Sequence, residues 1–260
     1  MRLLVKLSPE AAYTTLPVHY NHLLQGCLYH CLGDDAQFYH DLGYKYQKRM
    51  FKLFSFSRLL GRSTYDRYTE TLRFTGGLSL VVTSPDIRFC SSLATGLLRT
   101  GALHIGSEPL DIDSIFCSQD VVEGDQIVVR LLSPVVVYST MTRYDGRKYT
   151  CFFAPGEPDF ERLISENLKR KYEAFTGISR TEPDSVRVKP LSEPRLAILK
   201  YRDTVIKGYV CRLRLEGPNH LLQMAVDAGV GAKNSQGFGC VEVEDGFVKR
   251  NCSERVEYVP

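Results

Sequence analysis

Two features of this chain could do chemistry: a glycine-rich run late in the sequence and a few histidines. The run reads Gly229-Val230-Gly231-Ala232-Lys233-Asn234-Ser235-Gln236-Gly237-Phe238-Gly239. Four glycines and one lysine give a backbone that another chain can approach closely, with N–H groups free to turn outward, as an anion-binding loop requires. A phosphate backbone is the obvious ligand. Upstream, Leu221, Leu222, Ala225 and Val226 recur at helical spacing, and Gly229 falls where a left-handed helix stop is favoured. Phe238 to Glu244 reads as a strand. The order helix, glycine loop, strand excludes the Rossmann fingerprint and the P-loop, which both run strand, loop, helix. A helix cap followed by a loose turn is the competing reading of the run taken alone.

Histidine suits proton transfer because its ordinary pKa, about 6.5, lies near neutrality. Of the six histidines, His40 sits on a short helix that Asp34 can cap. There Phe38, Tyr39 and Leu42 share one side, which leaves the imidazole on the polar side before Gly43. An isolated surface histidine is the plainer reading of His40 by itself. His22 and His220 near helix starts and His104 in a strand read as structural. No His, Cys or carboxylate grouping has zinc spacing, and no paired acids suggest a two-magnesium nuclease, so neither metal nor cofactor is expected.

The elements that must position these groups fit within 260 residues, enough for two domains of ordinary size. A formal charge of +3 and a pI near 8.4 are only mildly basic, so a nucleic-acid surface would need local clustering of Lys and Arg. Eight cysteines without paired-ligand spacing and no leading apolar segment favour thiols in a cytoplasmic setting. Cys27 and Cys31 lie among leucines on the apolar side of a helix. No apolar run reaches membrane-spanning length, and no membrane association is expected.

Arg2 to Leu7 alternates as a first strand, and Asn21 can cap a helix carrying Leu24, Cys27, Leu28 and Cys31 inward. After the basic stretch Lys45, Lys48, Arg49 comes a strand from Phe51 to Ser57, on which Lys52, Phe54, Phe56 and Arg58 share a face of cations and aromatics. Thr69 to Val82 reads as a hairpin turning at Gly76-Gly77, Asp86 to Arg99 as an amphipathic helix, and Ala102 to Cys117 as a strand region. This order is ferredoxin-like. The polar segment Asp120 to Asp125 marks a boundary between residues 1–122 and 123–260. Beyond it the order recurs: apolar Ile127 to Val137, helical Asp159 to Thr176, a hairpin pairing Ser185–Leu199 with Thr204–Leu215, a helix over Asn219 to Ala228, and the final strand. The fold class expected is α+β, two tandem ferredoxin-like (RRM-like) domains.

Gly-Ala-Lys-Asn-Ser-Gln-Gly-Phe-Gly followed by Cys-Val-Glu-Val resembles the C-terminal glycine-rich motif of the CRISPR-associated endoribonucleases that cut precursor guide RNA inside its repeats, within the repeat-associated mysterious protein superfamily. The run Leu16-Pro17, Tyr20-Asn21, Leu24-Gln25-Gly26, Leu28-Tyr29, Tyr39-His40-Asp41 and Phe51 to Ser57 resembles the same family, in the same order. Together the matches cover essentially the whole chain.

The resemblance implies metal-independent cleavage in which the RNA 2′-hydroxyl attacks the neighbouring phosphate, leaving a 2′,3′-cyclic phosphate and a 5′-hydroxyl. The protein then supplies a base, an acid and positive charge for the transition state. It places the catalytic histidine at His40, an assisting tyrosine at Tyr29 and a charge-stabilising lysine at Lys52, with His30, Tyr44, Tyr46 and Lys48 as substitutes. RNA contacts fall to Gly231, Lys233, Asn234, Ser235, Gln236, Gly237 and Gly239, and to Lys48, Arg49 and Arg58. Lys169-Arg170-Lys171 is read as a solvated helix face with no assigned role. The partner implied is CRISPR repeat RNA, with other effector-complex subunits and a homodimer left open. A non-cleaving RNA-binding subunit is the alternative from the same superfamily. A structural or nucleotide-binding protein unrelated to RNA is the third reading.

Overall fold

Alternation buries Leu3, Val5 and Leu7 of the first strand, β1 (Arg2–Pro9), completely, while Arg2, Leu4 and Lys6 point to the other face. The computed structural model describes residues 1–179, 184–244 and 246–257. With β2 (Leu60–Asp66), β3 (Thr71–Thr83) and β4 (Glu108–Val122), the first strand forms an antiparallel sheet in the order β4, β1, β3, β2. Helices α1 (Asn21–Cys31) and α2 (Ile87–Thr100) pack on its buried face, where Leu24, Leu28, Phe89, Leu93 and Leu97 meet Leu3, Val5 and Leu7 in one core. The two helices touch closely at Gly96. A Cβ there would collide with the Cys31 carbonyl.

The second half repeats the order. Strands β5 (Gln126–Leu131), β6 (Arg187–Pro190), β7 (Arg212–Glu216) and β8 (Val241–Val243) lie as β6, β7, β5, β8. Helices α3 (Pro158–Thr176) and α4 (Asn219–Ala228) bury Phe160, Ile164, Leu168, Leu222 and Ala225 against them. Each half is therefore ferredoxin-like, and the fold is a tandem of two such units. The outer faces of the sheets meet through Leu4, Val81, Leu132 and Cys240, and Arg2 pairs with Glu242 at 2.8 Å. A further strand, Val248–Glu257, returns to the first sheet and pairs with β4. Among the described residues no helix is long and apolar enough to cross a membrane.

Several local expectations change. Gly76-Gly77 is not a turn: β3 runs unbroken through it, and the hairpin turns at 67–70, where Glu70 takes a positive φ. The glycines serve a register shift opposite Leu60 to Arg62. Phe51 to Ser57 is not one strand. Arg49–Phe51 pairs with Tyr44–Tyr46, and Ser55–Phe56 pairs with β3, with both Leu53 and Phe54 buried between them. Ala102 to Cys117 contains a hairpin, Ala102–Ile105 against β4. The second-half hairpin is nested: Arg195–Tyr201 pairs with Thr204–Val210 as a separate ribbon, while β6 and β7 pair within the main sheet. Residues 33–42 form a 3-10 turn and a π-helical turn in which Tyr39 is buried but Phe38 and Leu42 are exposed. Gly229 does end α4 with a positive φ, but its ψ of 162° is extended rather than left-handed helical.

Candidate functional site

Helix α1 carries Asn21, Gln25 and Tyr29 at successive spacings of four, which puts them on one stripe. Asn21 does not cap the helix. Its Nδ2 donates to the carbonyl oxygens of Gln236 (3.0 Å) and Gly237 (3.1 Å), and Gln25 Nε2 donates to that of Ser235 at 2.6 Å. One turn on, about 6 Å along the axis, the Tyr29 ring meets the His40 ring edge-on with centroids 4.9 Å apart. The first helix thus holds the glycine loop at one end and faces His40 at the other.

His40 is open to solvent, its side chain 62% exposed, and Nδ1 lies 2.6 Å from Asp41 Oδ1. With the carboxylate accepting at Nδ1, the free nitrogen is Nε2. Tyr29 donates to the Tyr39 carbonyl at 3.4 Å, and its edge rests on Phe54. Burial, with smaller contributions from Tyr201 and Asp41, pushes the Tyr29 phenol up and keeps it protonated. Lys52 is withdrawn from water: Nζ has no hydrogen-bond partner among the described residues and packs against Gly43. Burial lowers its pKa, opposed by the charge of Asp41. Asp41 therefore acts on all three groups, a role sequence reading did not assign.

The substitutes divide. Tyr44 is committed, since its hydroxyl and that of Tyr39 both donate to Asp86 Oδ2. His30 is exposed but lines a separate groove with His22, Cys27 and His104. Tyr46 is half-buried and Lys48 exposed, at the turn of the small Tyr44–Phe51 hairpin.

The glycine loop presents fewer outward donors than the sequence suggests. The N–H groups of Val230, Ala232, Gln236, Gly237 and Gly239 donate to carbonyls of Gly239, Val136, Lys233, Asn234 and Pro134. Asn234 is buried, its Nδ2 donating to the Val230 and Phe238 carbonyls at 3.1 and 3.0 Å, so it shapes the loop instead of facing a ligand. Gly239 has φ 67°, and a Cβ there would collide with the Val230 carbonyl. Arg58 is likewise consumed. Its guanidinium lies 3.7 Å over the Tyr20 ring and donates to Asn21 Oδ1 and the Val18 carbonyl. The unforeseen member is Lys171, whose buried ammonium donates to the carbonyls of Gly229 (2.7 Å), Gly231 (3.2 Å) and Ala228 (3.4 Å). Burial drops its pKa to about 7. The signal was present, since Lys171 continues the inward stripe of Phe160, Ile164 and Leu168.

A cleft of about 760 Å³ opens between the halves. Gly231, Lys233 and Ser235 of the loop line it with Arg49, Lys52, Arg162 and Arg170. Glu166 bridges Arg162 and Arg170 at 2.8 Å each, leaving a cationic excess. Such a groove, with tyrosine Tyr138 on its wall, suits a phosphate-bearing strand.

Tandem ferredoxin-like units, with a glycine loop after the last helix held by the first helix, define the class of protein. Residues 117–243 match the family model described as CRISPR associated protein Cas6, C-terminal. The chain is 26% identical over 246 residues to CRISPR-associated endoribonuclease Cas6 1 of Methanocaldococcus jannaschii, covering 94% of each, and 26% identical over 272 residues to CRISPR-associated endoribonuclease Cas6 of Pyrococcus furiosus, covering 98% of this chain and 94% of that one. Its fold matches the product of a Cas6-related gene from Pyrococcus furiosus with a TM-score of 0.82 at 18% identity, over 95% of this chain and 99% of that one. It also matches a repeat-associated protein described as binding different RNA substrates, with a TM-score of 0.79 at 20% identity, over 94% of this chain and all of that one. The chain belongs to the CRISPR-associated Cas6 family.

Proposed function

We propose that this protein is an endoribonuclease that binds CRISPR repeat RNA and processes precursor CRISPR RNA. The curated relatives named as endoribonucleases support the activity. The observation that carries the chemistry is the pairing of exposed His40 with Tyr29 one helical turn from the loop-binding Gln25.

In this reading residues 1–122 supply the catalytic groups and residues 123–260 the glycine loop. The substrate's own 2′-hydroxyl is the nucleophile and its neighbouring phosphate the electrophile, so the products are a 2′,3′-cyclic phosphate and a 5′-hydroxyl without any metal. His40 Nε2, oriented by Asp41, moves a proton at the reacting oxygens. Tyr29, held protonated, donates a hydrogen bond. Lys52, with no hydrogen-bond partner among the described residues, turns its ammonium to the phosphate as charge accumulates. Lys233, Ser235 and Arg49 hold the strand along the cleft.

The test is cleavage of the repeat RNA in EDTA by wild type and His40→Ala, with a substrate carrying a 2′-deoxy group at the cut site. Expected are cyclic-phosphate ends from wild type, no cleavage of the deoxy substrate, and a rate lower by about 10²-fold or more for the variant. Normal cutting by His40→Ala would remove the assignment. Binding without any cutting by wild type would favour a non-cleaving RNA-binding subunit.

A further inference from the structure

Between β5 and α3 the chain inserts a two-stranded ribbon, Tyr138–Thr142 against Lys148–Phe152, that joins no other strand among the described residues. Its root is anchored: Tyr138 and Phe152 pack on buried Val136, Leu199, Ile206 and Phe238. From Thr140 to Thr150 every residue is exposed. A lone hairpin is marginal in water, yet this one carries large rings into solvent. Tyr144 is fully exposed, and Met141 and Tyr149 are more than a third exposed.

The charges on the ribbon are one-sided. Arg143, Arg147 and Lys148 face a single acid, Asp145, which lies 3.5 Å from Arg147. The Arg143 guanidinium stands 5.4 Å over the Tyr149 ring. The turn is closed by Arg143 N–H to Arg147 O at 2.9 Å and Gly146 N–H to Arg143 O at 3.0 Å, which fixes the tip as a unit. The ribbon is also continuous with the cleft. Tyr138, Ser139 and Thr140 line that cleft, and the Lys233 ammonium lies 5.4 Å from the Tyr138 ring. A strand held by the glycine loop would leave the cleft along the ribbon.

We propose that this ribbon is an RNA-holding arm, gripping single-stranded RNA outside the cleft by stacking a base on Tyr144 and neutralising phosphates with Arg143, Arg147 and Lys148. The inference rests on the reading that the protein binds repeat RNA. Interleaved cations and aromatic rings are the surface that single-stranded nucleic acid prefers, because every base offers a π-face. Five residues per strand give the arm a reach of about 17 Å, room for a few nucleotides.

The test is anisotropy titration of repeat RNA carrying single-stranded flanks, and of the same RNA with its flanks removed. Wild type is compared with the combined variant Arg143→Ser, Tyr144→Ser, Arg147→Ser, Lys148→Ser, and with Arg62→Ser, Arg67→Ser on another exposed hairpin, between β2 and β3. Expected is a tenfold or greater loss for the arm variant on flanked RNA, with a salt slope shallower by about 2 for three lost cations, and no difference on the trimmed RNA. The control should bind within about twofold of wild type. Because Tyr144 is fully exposed, Tyr144→Ala cannot perturb the fold and should alone lose about fivefold. Arm variants that bind flanked RNA like wild type would overturn the proposal and leave the ribbon to a protein partner. An equal loss in the control would overturn it as well, by showing general charge alone. If wild type itself fails to bind repeat RNA at low salt, the underlying reading fails, an outcome separate from loss confined to the arm.

Discussion

Asn21 Nδ2 donates to the Gly237 carbonyl oxygen at 3.1 Å across 216 residues of chain, so the first helix of one ferredoxin-like unit holds the glycine loop of the other. Asn21 is buried, and its Oδ1 accepts from Arg58, which makes it the centre of a network of three elements. Asn21→Ala should remove both carbonyl bonds and leave a buried guanidinium short of a partner, at a cost of about 2–3 kcal/mol. Urea denaturation should show the lower midpoint. Repeat-RNA affinity should fall with it, and an unchanged midpoint would mean the loop is held by other contacts.

Gly239→Ala tests the loop from the other side. The position combines a positive φ with a Cβ site occupied by the Val230 carbonyl, so strain and collision add. A loss of more than about 2 kcal/mol is expected. Gly124→Ala offers a contrast: its φ is also positive, but no described residue lies within 4 Å of its Cβ site, so only the backbone strain is felt. Thermal melts of the two variants should separate the contributions.

Much of this arrangement was legible in the sequence, and the parts that were not share a cause. The alternation of Leu3, Val5 and Leu7 and the 3.6-residue stripes of α2, α3 and α4 gave both ferredoxin-like orders, because burial of one face imposes its period on the sequence. Gly76-Gly77 misled because a glycine pair marks a turn and a strand irregularity equally well. The inward turn of the Ala232 and Gly239 N–H groups was invisible, since their acceptors at Val136 and Pro134 lie about a hundred residues away. Lys171 was hidden by its charged neighbours Lys169 and Arg170, although the helical period placed it inside. The exposed ribbon left no periodic trace at all.

Lys171 makes stability depend on pH in a defined direction. Its pKa falls from an ordinary 10.5 unfolded to about 7 folded, so between those values the unfolded chain binds more protons. Stability contributed by this group must then rise with pH from about 7 to 10.5 and be flat below 7. Lys171→Met, which fills similar volume without a charge, should abolish that component. Urea midpoints of both proteins from pH 6 to 9.5 provide the readout: the wild-type curve should climb relative to the variant, and parallel curves would show that the three carbonyls keep the ammonium charged throughout. Loss of those bonds should also loosen the loop and weaken RNA binding in the variant at pH 6.

Tyr29→Phe separates catalysis from packing. The ring keeps its edge contacts with His40 and Phe54, and the only bond lost among the described residues is the 3.4 Å one to Tyr39, so stability should stay within about 1 kcal/mol. Cleavage should slow by about tenfold or more if the hydroxyl assists at the phosphate. Single-turnover rates at saturating enzyme make the comparison independent of affinity, and an unchanged rate would confine Tyr29 to packing His40.

Lys52 poses the sharpest contrast between fold and function. Its ammonium has no hydrogen-bond partner among the described residues and is desolvated beside Gly43, so the folded protein gains little from it. Lys52→Met should therefore keep the urea midpoint, or raise it slightly, because no bond is lost and a buried charge is removed. If that ammonium turns to the phosphate during cleavage, the same substitution should lower the single-turnover rate by about 10²-fold while leaving repeat-RNA affinity within a few-fold. A variant that is destabilised and still cuts at the wild-type rate would reverse the assignment, making Lys52 a structural residue of the Gly43 turn.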